Sequence, residues 1–309
     1  MKKTLFVLSG VFLIFFCFTA RGMPAGNGDY AGSEACMGCH ETYAPPLMKT
    51  GHWKKAVAGS PINRDGCESC HGPGAEHVDK GGGKGVAIVA FRREEPAKER
   101  SSSCLSCHEE SKTLAFWNMN RHQVLDVSCD ACHSIHGRAT RGPVGKALLK
   151  EREPDLCFTC HKDIRAKTNR QSHHPIREGK MSCSQCHDTM GGFGPKMVRA
   201  DTVNELCFKC HADKRGPFAW EHPPVSENCM NCHEVHGSNH NGLLVRKAPL
   251  LCQSCHNEGR HPATPYTSFN TFGGSATSGK NRMFARSCLN CHSNIHGSNH
   301  PALGGAFVR

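Results

Sequence analysis

Ten histidines in this chain each follow directly on a Cys-x-x-Cys pair, and the ten motifs absorb 20 of the 21 cysteines. They are Cys36, Cys39 and His40; Cys67, Cys70 and His71; Cys104, Cys107 and His108; Cys129, Cys132 and His133; Cys157, Cys160 and His161; Cys183, Cys186 and His187; Cys207, Cys210 and His211; Cys229, Cys232 and His233; Cys252, Cys255 and His256; and Cys288, Cys291 and His292. Two thiols three residues apart share one face of a helical turn. They can bond covalently to the two vinyl groups of one porphyrin while the next residue brings an imidazole to its iron. Cys-x-x-Cys-His is the attachment signature of a c-type haem. Zinc sites join pairs of Cys-x-x-Cys or Cys/His elements and give no reason for a histidine after every second cysteine. A disulfide framework would not repeat a three-residue spacing ten times with a trailing histidine.

Twelve further histidines lie outside the motifs: His52, His77, His122, His136, His173, His174, His222, His236, His240, His261, His296 and His300. Ten irons need ten sixth ligands, so every iron can be held by two histidines. The expected distal set is His52, His122, His174, His222 and His261 between the motifs of a unit, with His77, His136, His236, His296 and His300 as the second set. His174 is preferred to His173 because it keeps the His-Pro register of His222-Pro223 and His261-Pro262. His240 and His300 occupy matching His-Gly-Ser-Asn-His segments and stay level as alternatives. With histidine in surplus, methionines such as Met48, Met119 and Met190 are read as packing against porphyrin faces. A haem that does chemistry on a substrate needs an open coordination site. The expectation is therefore an electron carrier with low-spin haems of mostly negative potential, and not an enzyme.

The motifs start 22 to 37 residues apart, which leaves too little chain to separate neighbouring porphyrins. A two-motif repeat gives five dihaem units at about 30–80, 101–140, 154–190, 204–240 and 249–300 within a cytochrome domain of 30–309. Gly and Pro together make 49 of 309 residues, and the hydrophobic content is 38%. The fold expected is a multihaem c-type cytochrome: short α-helices and irregular loops wrapped round an extended chain of ten haems, with little or no β-sheet. Gly72–Ser103 and Asn257–Ser287, the long stretches without a motif, are expected to be surface loops.

Residues 1–22 read as a secretory signal, with Lys2 and Lys3 before an apolar run and small residues at Ala20 and Gly22. Export to the periplasm agrees with haem attachment outside the cytoplasm. The formal charge of +11 falls to +8 without Lys2, Lys3 and Arg21. Ten haems, each with two propionates, carry it to about −2 oxidised and about −12 reduced. Lysine and arginine then serve as counter-charges to propionates, and nucleic-acid binding drops out.

The run Cys67-Glu-Ser-Cys-His-Gly-Pro-Gly-Ala-Glu-His77, the run Cys129-Asp-Ala-Cys-His-Ser-Ile-His136-Gly and the closing Cys288-Leu-Asn-Cys-His-Ser-Asn-Ile-His296-Gly-Ser-Asn-His300-Pro complete the pattern. With ten motifs behind a signal, the chain resembles the periplasmic decahaem cytochromes of the MtrA/DmsE/PioA type over essentially its whole mature length. That resemblance implies a porin–cytochrome conduit. An outer-membrane β-barrel porin would enclose the protein, an outer-surface multihaem cytochrome would stand on one side, and periplasmic or inner-membrane donor cytochromes on the other. The setting implied is extracellular electron transfer, as metal-oxide respiration or its reverse. A free periplasmic shuttle or charge store stays open as the alternative, and a multihaem oxyanion reductase as a lesser one.

Overall fold

A computed structural model describes residues 28–136, 148–192, 195–256, 287–301 and 307. The signal segment 1–22, His261 and nearly all of Asn257–Ser287 lie outside these residues.

Among the described residues the regular structure is short helices and single 3₁₀ turns, with no strand. Five isolated antiparallel bridges take the place of a sheet, His133 to Leu149, Ser172 to Ser238, His187 to Val198, Trp220 to Ser298 and His233 to Leu244. The longest helix, Ala97–His108, has 12 residues, and no helix described is long and apolar enough to cross a membrane. This helix corrects the expectation of a surface loop over Gly72–Ser103, as does the short helix Ala75–Asp79. Pro96 precedes the long helix, the Asp126 carboxylate accepts the Ala97 N–H at 3.0 Å, and no Gly or Pro interrupts the following run. Gly81, Gly82 and Gly83 between the two helices all have positive φ and form the loop proper.

Two compact units divide the chain. The first comprises the described part of Met1–Glu41 with Gly51–Arg92 and carries two motifs; the second comprises Thr42–Thr50 with the chain from Arg93 and carries eight. Among the described residues few apolar side chains are buried, namely Leu47, Ala97, Trp117, Val198 and Ala248, whereas Met119, Val124 and Leu125 are each about 60% exposed. The described residues build little apolar core of their own, in keeping with a chain wrapped round large prosthetic groups.

Polar side chains do the cross-linking within the first four repeats. Three residues before the first motif of a unit, Ser33 Oγ accepts the N–H of Cys67 at 3.1 Å. Ser101 Oγ accepts that of Cys129 at 3.2 Å, and Asn204 Oδ1 that of Cys229 at 2.8 Å. Proline holds this place in the third unit, and the neighbouring Glu153 carboxylate accepts the Ser184 N–H at 2.9 Å instead. Each contact satisfies an N–H at the start of the second motif's turn, a donor the turn itself leaves open. Arg100, almost fully buried, adds a two-oxygen ion pair to Asp130 at 2.9 and 3.1 Å. Glu68, equally buried, accepts the N–H groups of Ala31, Gly32 and Gly74 at 2.7 to 2.9 Å.

Candidate haem sites

Every motif closes one helical turn. The histidine N–H donates to the carbonyl of the first cysteine at 2.9 to 3.2 Å in nine motifs, and the tenth, Cys104 to His108, ends the helix Ala97–His108. The turn brings both thiols to one side and sends the imidazole on from its end.

Thiols of successive motifs meet in an alternating order. Within a unit the first cysteines meet, Cys36 with Cys67, Cys104 with Cys129, Cys157 with Cys183, Cys207 with Cys229, and Cys252 with Cys288. Between units the second cysteines come within electrostatic reach of one another, Cys132 of Cys160, Cys186 of Cys210, and Cys232 of Cys255. Burial, followed by the facing thiol, pushes Cys36 and Cys252 up to about 11 and Cys207 up to about 12. The hydrogen bond between Cys157 and Cys183 holds the first thiol up and the second down. Glu153 lies within 4.8 Å of both those thiols. Its bond to Ser184 N–H explains it there as a cap of the motif turn.

Among the described residues, motif and non-motif histidines face each other in pairs, six of which show the spacing directly. Ring centroids are 6.3 Å apart for His40 and His77, 6.2 Å for His122 and His161, and 6.4 Å for His174 and His211. They are 6.1 Å apart for His187 and His236, 6.0 Å for His222 and His256, and 6.1 Å for His233 and His296. A ligating imidazole nitrogen stands about 2 Å from its metal and about 1.1 Å from its ring centre, so two histidines holding one iron from opposite sides would have ring centres about 6.2 Å apart. The observed spacing fits a bis-imidazole iron and is too wide for direct stacking.

Four of these histidines also have their outer ring nitrogen held. Nδ1 of His77, His174, His187 and His233 donates to the carbonyls of Val86, Val235, Lys196 and Gly242 at 2.7 to 3.1 Å. Each bond fixes the tautomer that leaves Nε2 for a metal. Burial, with the facing imidazole adding to it, holds His222, His236 and His296 below the usual histidine range, in the neutral form that ligates. In contrast, His173 bonds through both nitrogens, Nδ1 to the Arg170 carbonyl at 2.6 Å and Nε2 to Glu178 at 3.1 Å. The Glu178 carboxylate raises its pKa, and its neighbour His174 is the one that faces a motif histidine.

The other candidates are placed less directly. His52 sits in the turn Gly51–Trp53, and His136 donates Nδ1 to the Tyr43 carbonyl at 3.0 Å. His71 donates Nδ1 to the Val89 carbonyl at 2.7 Å. His300 is tied through its carbonyl to Trp220 Nε1 at 2.7 Å, and its N–H, like that of His240, bonds to the serine two residues before it.

What the sequence did not disclose is the order of pairing. His122, His174 and His222 each face the first motif of the next unit, and His236 and His296 each face the second motif of the previous one. The polar cap three residues before the first cysteine was also missed; its signal was the recurrence of Ser33, Ser101 and Asn204 at one offset.

Comparison with known proteins agrees with this geometry. A family model for the doubled CXXCH motif matches residues 122–166, 173–216 and 222–261, and each span contains one facing pair. A model for cytochrome c554 and c-prime matches 20–72 and 84–134. A C-type polyheme cytochrome OmcB of Geobacter sulfurreducens is 24% identical over 88% of this chain and 37% of its own length. The multiheme cytochrome MtrA of Shewanella baltica is 38% identical over 279 residues, 90% of this chain and 81% of its own. Thiol pairs on helical turns, imidazoles spaced for an iron and this similarity lead to one conclusion: the chain binds haem c through its Cys-x-x-Cys-His motifs and belongs to the MtrA family of multihaem c-type cytochromes.

Proposed function

We propose that this chain holds ten haem c groups in a row and conducts electrons along them across the outer membrane, from the periplasm to the cell exterior or back, inside a β-barrel porin. The observation that carries the reading is the alternating encounter of cysteines. Along the compact unit that carries eight motifs, first cysteines hydrogen-bond to first cysteines within a repeat, and second cysteines come within electrostatic reach of second cysteines between repeats. A cysteine bonded to a porphyrin marks that porphyrin's edge, so adjoining cysteines bring successive porphyrin edges together. The haem supplies reversible one-electron exchange at its iron. The chain's own residues fix spacing and potential: each facing imidazole pair holds an iron on both sides, and each carbonyl-bound Nδ1 makes its ring a stronger donor. Two histidines on an iron leave no position for a substrate, which favours a carrier over an enzyme.

Several arguments support the conduit over a free periplasmic shuttle. Similarity to MtrA extends over 90% of the chain, and the expected signal segment would export it. A polar chain of short turns also needs a barrel to pass a bilayer, because lipid satisfies none of its backbone groups. The partners that fit are the porin, an outer-surface multihaem cytochrome, and periplasmic or inner-membrane donor cytochromes. Purification with the enclosing outer-membrane protein and reconstitution into liposomes loaded with a reduced dye tests the reading. External oxidant should bleach the dye only when both proteins are present. A cytochrome that purifies alone and passes no current would make the periplasmic shuttle the better account.

A further inference from the structure

We propose that the iron held by His133 takes the Met190 thioether as its sixth ligand, making one high-potential His/Met haem in a chain otherwise ligated by histidine. This rests on the ligation reading above and deepens it at one position.

In the third, fourth and fifth units the second motif is followed by a tail, and these three tails share one structure. Gly191, Gly237 and Gly297 have φ of 151°, 146° and 140°, a conformation glycine is needed for. Each glycine N–H closes the same three-residue turn, onto Asp188, Glu234 and Asn294 at 3.4, 3.1 and 3.1 Å. Each also packs on the unit before it, Gly191 on Phe116, Gly237 on Lys167 and Gly297 on Phe218. In the first two of these tails the carbonyl two residues before the glycine receives Nδ1 of the preceding unit's non-motif histidine, Thr189 from His122 at 3.5 Å and Val235 from His174 at 3.0 Å.

Between this carbonyl and the glycine stands the residue the tail delivers. It is His236 in the fourth unit and His296 in the fifth. These face the second-motif histidines one unit back, His187 and His233, at 6.1 Å with ring planes within 11° of parallel. In the third unit the same place is held by Met190. One unit back from it is His133, whose motif closes by the same bridge, His133 to Leu149, as His187 to Val198 and His233 to Leu244.

The two observed pairings thus set a rule, and its next application brings a methionine to iron. A thioether is a neutral, soft ligand that favours ferrous over ferric iron, so this haem would be reduced first and oxidised last. It would hold an electron that its neighbours pass on.

Near-infrared magnetic circular dichroism of the fully oxidised, ten-haem protein is the test. A ferric His/Met haem has a thioether-to-iron charge-transfer band that bis-histidine haems lack. One such band, of one-tenth weight, is expected, together with one haem titrating clearly above the rest. Met190→His should abolish the band, keep ten low-spin haems and bring the outlying potential down among the others. Absence of the band from the wild-type protein overturns the proposal, whatever the variant does, and so does its survival in Met190→His. The haem count from the pyridine haemochrome separates the two readings. Fewer than ten haems would undercut the ligation scheme as a whole, whereas ten haems without the band would remove Met190 alone.

Discussion

His174 and His211 face each other with ring centroids 6.4 Å apart, although His174 lies between motifs five and six and His211 closes motif seven. An iron between them would tie one repeat to the next. The same holds for His122 with His161 and for His222 with His256. Ligation then doubles as the joint between repeats, so haem loading and folding of the chain are one process.

Replacement of His174 should consequently disturb a haem outside its own unit. His174→Ala is expected to turn one haem in ten from low to high spin, read as a new axial electron paramagnetic resonance signal. His173→Ala should leave all ten low-spin, because both of its ring nitrogens already bond to Arg170 and Glu178. A high-spin signal from the His173 variant alone would reverse the assignment.

Ring-plane angles fall into two classes. His187 with His236 and His233 with His296 are near parallel at 10° and 11°, while His122 with His161 and His174 with His211 are crossed at 68° and 55°. Crossed planes bring the iron d orbitals close to degeneracy and give a strongly anisotropic low-spin signal. The oxidised protein should show both signal types, and His122→Ala should remove part of the anisotropic one. A spectrum of the rhombic type only would contradict the crossed geometry.

Asn204 tests the polar cross-links. Its side chain is buried, accepts the Cys229 N–H at 2.8 Å and donates to the carbonyls of Val225 and Ser226 at 2.9 and 3.1 Å. Asn204→Ala leaves those groups with no partner at a buried site and should cost about 2–3 kcal/mol in a denaturant titration. Asn204→Asp keeps the acceptor and should recover part of the loss. Equal stability of the alanine variant and the parent would mean that water replaces all three bonds.

The motifs were legible because covalent chemistry fixes residue type and spacing together: Cys157, Cys160 and His161 cannot be moved by one residue and still reach one porphyrin. The histidines outside the motifs were legible as a set, since the chain uses histidine for little else. The partner of each was not, because pairing depends on how one repeat stacks on the next, and His174 is nearer in sequence to His187 than to His211. The helix start at Ala97 was masked by a window rich in glycine. Met190 reads as filler in isolation; the φ of Gly191 is what marks its place as a ligand position.

Gly237 offers the sharpest local test of that tail geometry. Its φ of 146° disfavours any side chain, and a Cβ there would run into the Lys167 carbonyl, a backbone group with little freedom to yield. Gly237→Ala should therefore cost about 3 kcal/mol or more, as strain joins a steric clash. It should also move His236 away from His187 and make one haem high-spin. Gly179→Ala is the matched control, since φ is also positive at 68° but nothing lies within 4 Å of the added methyl. Its cost should stay near 1 kcal/mol, with every haem still low-spin. If the two variants behaved alike, the tail would not be pressed against the preceding repeat, and the delivery of His236, His296 and Met190 to the repeat behind them would lose its structural basis.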